Sequence, residues 1–147
     1  MILFGTFVWV RHTASVTITE EISNGIVSLQ NPLESLSETP TPKEIKLAIV
    51  YLSGNNDWDN KQFIEFYNIV NCESGFRYSA YNKKDTDGLP AIGLMQFKKA
   101  TFDHYAKKYG VENPDIWNVR QQLEVAARMI NDGQIKQWGC FSGKTLF

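Results

Sequence analysis

The chain changes character at Glu38-Thr39-Pro40-Thr41-Pro42, and this change constrains its fold more than any other feature. Two prolines within three residues mark a boundary. Before it, residues 13–42 are rich in Ser, Thr, Glu and Pro. Their apolar side chains, Val16, Ile18, Ile22, Ile26, Val27 and Leu29, keep no sustained period of two or of 3.6. That stretch reads as a tether with little structure of its own. After the boundary, helical spacing takes over. The division expected is an apolar segment and tether over 1–42, then one folded domain over 43–147.

Within the domain the helices announce themselves by period and by caps. Ile45, Leu47, Ala48, Ile49 and Leu52 fit one helical face, stopped by Ser53-Gly54-Asn55-Asn56. Asp59 reads as the N-cap of a second helix, whose stripe Phe63, Phe66, Tyr67 and Val70 runs into Cys72-Glu73. Residues 82–97 hold Gly88, Pro90 and Gly93 among several charges, which suits a loop or small hairpin. Thr101 to Tyr109 reads as a short helix ending at Gly110. Asn118 opens a last one, with Val119, Leu123, Ala126, Ala127 and Ile130 inward and Gly133 as its stop. The fold class expected is mainly α, a small helical domain of about 100 residues with one short β-hairpin.

Composition narrows the function classes. Hydrophobic residues make up 43% and aromatics 13%, enough for an ordinary core, so disorder throughout is excluded. Residues 1–59 carry three basic and seven acidic side chains, a balance of −4, and residues 60–147 carry twelve and nine, a balance of +3. The second part is suited to an anionic polymer, but so small an excess is not the footprint of a nucleic-acid binder. Residues 1–10 (MILFGTFVWV) are too few to span a bilayer as a helix, which takes about 20. They are read as an export signal or a membrane anchor, the alternatives being a buried strand or a truncated start. Taken alone, Cys72 and Cys140 fit either two reduced core thiols or a pair closing a long loop.

The chemistry centres on Glu73. It ends an apolar helix, where the negative pole of the helix dipole and apolar neighbours disfavour its ionised form. A carboxyl so placed stays protonated nearer neutral pH and can donate to a leaving oxygen. Most glutamates are plain surface residues, and the surrounding pattern is what sets this one apart. Cys72-Glu73-Ser74-Gly75-Phe76 is followed by Ala80 and Asn82, then by Gly93-Leu94-Met95-Gln96-Phe97 and Thr101-Phe102.

In order and spacing these motifs resemble the lytic transglycosylase domain of the lysozyme superfamily, over roughly residues 60–141. The Cys-Glu-Ser-Gly start and the closing Trp138-Gly139-Cys140 are also similar to the secreted resuscitation-promoting factors. The resemblance implies an α+β lysozyme-like fold with the hairpin beside the active-site cleft. It implies an enzyme that cuts peptidoglycan between N-acetylmuramic acid and N-acetylglucosamine, outside the cytoplasm or in the cell envelope, without cofactor or metal and as a monomer. Glu73 would be the general acid and then the base. Ser74 would help hold the carboxyl and the helix end. Asn82, Met95 and Gln96 would line the glycan groove, and Gly93 would allow close approach of the chain. A disulfide between Cys72 and Cys140 is implied by the same likeness. Where many members carry Asn-Pro this chain has Arg77-Tyr78, and in place of a late Ala-Tyr-Asn stands Ala126-Ala127-Arg128-Met129-Ile130.

Other polar features receive blander readings. Asp85-Thr86-Asp87-Gly88 lacks the further ligands of a calcium loop, so no metal is expected. Either aspartate is a second carboxylate or, as favoured here, a turn-former. His12 and His104 are expected to be solvated, and Phe97 and Phe102 to pack beneath the hairpin. Trp117 reads equally as a sugar-stacking ring or a core residue. Two alternatives to the transglycosylase remain: a lysozyme-type hydrolase of the same bond and a catalytically silent glycan-binding module.

Overall fold

The computed structural model describes residues 31–140; the apolar segment 1–10, His12 and most of the stretch read as a tether lie outside the described residues. Four α-helices and one two-stranded hairpin follow in chain order. They are α1 (Pro42–Asn55), α2 (Asn60–Ser74), β1 (Tyr81–Asn82), β2 (Ala91–Ile92), α3 (Lys99–Lys108) and α4 (Val119–Asn131), with a closing 3-10 turn at Ile135–Gln137. The strands are antiparallel, with Tyr81 opposite Ile92 and Asn82 opposite Ala91. This is the expected class, mainly α with one small hairpin.

The helix boundaries follow from capping chemistry. Thr41 accepts the Glu44 backbone N–H while the Glu44 carboxylate accepts the Thr41 N–H, a reciprocal box that opens α1 one residue after Pro40. Pro42 sits in the first turn, where its missing N–H costs nothing. Asp59 and Gln62 repeat the box at α2, and Asn118 accepts from Gln121 at α4. Gly75 ends α2 at φ +61°, with its N–H on the Asn71 carbonyl.

The core forms around α4, which packs against α3 and α1, while α1 packs on α2. Val119, Leu123, Ala126, Ala127 and Ile130 are all buried, as their spacing predicts, and Val125 and Met129 join them. In α1, Ile45, Ala48, Ile49 and Leu52 turn inward, but Leu47 is 51% exposed. The periodic reading placed Leu47 inside because five apolar positions in eight make too wide a stripe. A helix packed along one side buries the i, i+3, i+4, i+7 set, and Leu47 falls between its members. Leu33, ahead of α1, also enters the core, and Leu36 packs against it.

A second set of ties closes the domain. Cys72 in the last turn of α2 is bonded to Cys140, with Cα atoms 6.0 Å apart across a separation of 68 residues. The Trp58 indole N–H donates to Asn131 Oδ1 (2.6 Å), and the Asn131 amide donates to Asn56 Oδ1 (2.6 Å), joining the end of α4 to the α1–α2 turn. Phe97 packs on Phe102 and Trp138, with centroids 5.5 and 5.6 Å apart, and all three are buried in the core.

Closing so long a loop removes chain entropy from the unfolded state. Replacing both cysteines with serine is expected to lower the unfolding free energy by about 4 kcal/mol in the chain-entropy model. Denaturant titration of the oxidised parent and the double variant measures it, and a loss below about 1 kcal/mol would contradict that account.

Candidate active site

Glu73 lies in the last turn of α2, half-buried, at a cavity of about 120 Å³ that Asp85, Gln96, Lys98, Trp138 and Gly139 also line. Its Oε1 accepts the Cys140 backbone N–H at 3.3 Å. That donor comes from the other end of the domain and is held in place by the disulfide one residue before Glu73. Burial raises the Glu73 carboxyl above the usual range, the Cys140 N–H opposes that, and the charge of Asp85 adds to the rise. The net direction is upward. Glu73 therefore keeps its proton to higher pH than an exposed glutamate.

Asp85 reaches the same cavity in a different state. Its carboxylate bonds Lys98 Nζ at 2.9 Å, and Asp87 holds the same ammonium at 2.8 Å. The hydrogen bond from Lys98, then one from the Thr86 backbone, hold Asp85 below its ordinary range. Asp87 also accepts the Leu89 N–H, so the pair shapes the hairpin turn. The turn-forming reading describes Asp87 well but misses that Asp85 also faces the cavity of Glu73. Two carboxyls thus meet there, one pushed toward the neutral acid and one pinned as an anion.

The other predicted residues take varied places. Gln96 lines the cavity, and its side-chain amide donates to the carbonyls of Gly93 (2.8 Å) and Ala80 (3.2 Å). Asn82 is exposed on β1, its amide 3.4 Å from Asp85 Oδ1, next to the cavity rather than in its wall. Ser74 is buried and donates to the Val70 carbonyl at 3.1 Å, so its hydroxyl holds the helix end and not the carboxyl. Met95 is 0% exposed, in the core and outside the cavity wall.

Gly93 has a physical reason that the sequence did not disclose. At φ +74° it favours glycine, and a Cβ there would fall 1.9 Å from the amide nitrogen of Gln122. Gln122 is fully buried in α4. Its Oε1 accepts the Met95 N–H at 2.8 Å, and its Nε2 donates to the Ile116 carbonyl. The close approach that Gly93 permits is therefore to a protein amide. The signal for Gln122 was a polar residue at 119+3, inside the apolar stripe of α4. Trp138 completes the brace by donating its indole N–H to the Met95 carbonyl at 2.9 Å. Among the described residues no group of three or more His, Cys, Asp or Glu is arranged to hold a metal.

A mainly helical α+β domain with a short hairpin beside a cleft, and an acid closing the helix next to it, defines the lysozyme-like class. Within that class, the model of the transglycosylase SLT domain matches residues 55–140, more than half of the chain, and the chain belongs to this family. No curated protein and no solved structure matches it. At the level of the family it is an enzyme of the lytic transglycosylase type with peptidoglycan as its substrate. No helix among the described residues is long and apolar enough to cross a membrane.

The charge of Asp85 contributes to the raised pKa of Glu73, so Asp85→Asn is expected to bring the Glu73 titration back toward ordinary glutamate values. Burial, the larger cause, leaves it still elevated. Carboxyl-carbon NMR titration of parent and variant reads this directly, and an upward move would contradict the assigned coupling.

Proposed function

We propose that the protein cleaves the bond between N-acetylmuramic acid and N-acetylglucosamine, with Glu73 as the one acid-base group. The observation that carries this is the inequality of the two cavity carboxyls. Glu73 is held toward the protonated form, while Asp85 is locked to Lys98. Protonated Glu73 donates to the bridging oxygen, and the bond from that oxygen to the muramyl anomeric carbon breaks. The carboxylate left behind takes the proton of the muramyl 6-hydroxyl as its oxygen closes on the same carbon. The product is a 1,6-anhydro sugar and no water is consumed. The nucleophile belongs to the substrate and is present at high effective concentration, so a second free carboxylate is not required. Gln96, in the cavity wall, and Asn82, beside it, are the side chains in reach of the glycan in this reading.

The second reading is hydrolysis of the same bond, favoured by one observation, the presence of Asp85 in the wall that holds Glu73. A hydrolase would use it to direct water or to stabilise the sugar cation. The bonds to Lys98 argue for the anhydro route, because a base tied to an ammonium is weakened. A silent binding module is disfavoured, since binding sugar requires no sheltered acid. The disulfide fits an oxidising location, and with the substrate it supports action in the cell envelope or outside the cell.

Glu73→Gln is expected to fold and to lose about 4 kcal/mol of transition-state stabilisation, roughly a thousandfold in rate on purified peptidoglycan. Turnover within tenfold of the parent would remove Glu73 from this role. Because the acid must carry its proton, activity should fall as pH rises through the elevated pKa of Glu73. Digestion in heavy-oxygen water separates the chemistries. Mass spectrometry should find anhydromuramyl ends free of heavy oxygen, and incorporation at those ends would establish hydrolysis instead.

A further inference from the structure

Among the described residues three tryptophans are present, and two of them behave alike. Trp58 and Trp138 pack against or within the core, and each indole N–H is bonded, to Asn131 Oδ1 and to the Met95 carbonyl. Trp117 does neither. It is 47% exposed and its indole N–H has no partner among the described residues. Beside it stands Tyr81 of β1, 55% exposed, its ring centroid 6.1 Å away and its plane tilted by 33°. The phenol hydroxyl is likewise unpaired among the described residues. Two large rings from separate parts of the chain thus share a surface patch and keep their polar tips free.

The patch is built rather than incidental, because its loop is fixed on three sides. Ile116, just before Trp117, is buried, and its carbonyl is held by Gln122. Asp115 Oδ1 accepts the Trp117 N–H at 2.9 Å, and the Asp115 N–H is held by Gln121 Oε1 at 2.7 Å. Asn118, just after, caps α4. An aromatic ring presented on so constrained a loop loses little conformational freedom when a ligand covers it. Exposing it to water without such a ligand leaves apolar area unburied.

We infer that Tyr81 and Trp117 form a second carbohydrate platform, apart from the cavity of Glu73, that holds a pyranose ring of the same peptidoglycan strand; this rests on the peptidoglycan reading above. Pyranose faces present C–H groups, which pack on aromatic rings, while their hydroxyls suit the free indole N–H and phenol O–H. Location fits a polymer and not a single sugar. Met129, which lines the Glu73 cavity, and Val119, two residues after Trp117, lie at opposite ends of α4, about 15 Å apart at 1.5 Å per residue. On β1, Tyr81 and Asn82 point to opposite faces, Asn82 toward Asp85 and the cavity, so one short strand connects the two places. A long strand bound at both is held near Glu73 after each cut, as with any two linked contacts.

The test uses the full chain carrying Glu73→Gln, so that strands bind without being cut. Equilibrium binding of soluble, size-fractionated peptidoglycan glycan strands is measured for this protein and for versions with Tyr81→Ala, Trp117→Ala, Tyr81→Phe or Trp117→Phe added. Each alanine is expected to weaken binding of long strands about fivefold to tenfold, with phenylalanine recovering most of it. Disaccharide-sized fragments, too short to reach both places, should show a smaller ratio between alanine and parent. Strand binding that is intact yet indifferent to both alanines overturns the platform and leaves the catalytic reading standing. Failure of the Glu73→Gln protein to bind any strand, with no cleavage by the parent, overturns both.

Discussion

The side-chain amide of Gln122 is the contact on which both halves of the site region depend. It is fully buried, and an unpaired amide in that position would cost several kcal/mol. Both of its ends are satisfied by backbone, the Met95 N–H on one side and the Ile116 carbonyl on the other. One residue of α4 thereby fixes two loops that have no regular structure to hold them. The tight turn from Ile92 to Phe97, which carries Gln96, is one. The approach to α4, which carries Trp117, is the other. The cost of this arrangement appears at Gly93, where no side chain fits against the amide. The glycine and the glutamine are a single packing decision.

A different economy governs the two carboxyls at the cavity. They share one wall, yet their surroundings separate them in opposite directions. Glu73 has one backbone donor and partial burial, which leaves the neutral form favoured relative to an exposed acid. Asp85 has an ammonium and a backbone donor, which favour the anion. The anion in turn reinforces the neutrality of its neighbour, because like charges at close range disfavour each other. Lys98, in the same cavity wall, is what holds Asp85 in its charged form.

Much of the frame was legible because it rests on local rules. Asp59 and Asn118 were readable as caps since each is a short polar residue ahead of a periodic run, and both prove to bond the N3 amide. Glu73 was readable from its place at a helix end within ordered motifs. What escaped depended on contacts between distant parts of the chain. Leu47 looked internal because apolar identity does not say which side of a helix finds a neighbour. Gln122 was passed over because a polar residue in an apolar stripe has meaning only once its two backbone partners, 27 and six residues away, are known. Asp85 and Asp87 were weighed alike, as second carboxylates or as turn-formers, since nothing local tells that only Asp85 lines the cavity of the acid. The Cys140 N–H could not be anticipated at all, as backbone donors carry no residue signature.

That last donor gives the molecule an order in time. A chain made from its N-terminus exposes Glu73 while 67 residues still separate it from the amide that completes its environment. The partner arrives with residue 140, after every helix among the described residues has been synthesised, and the disulfide to the residue before Glu73 ties it there. The acid is thus synthesised early and its backbone donor late, and the disulfide that joins their neighbourhoods forms only with an oxidant. Formation of that covalent tie depends on the redox surroundings of the chain as well as on its folding.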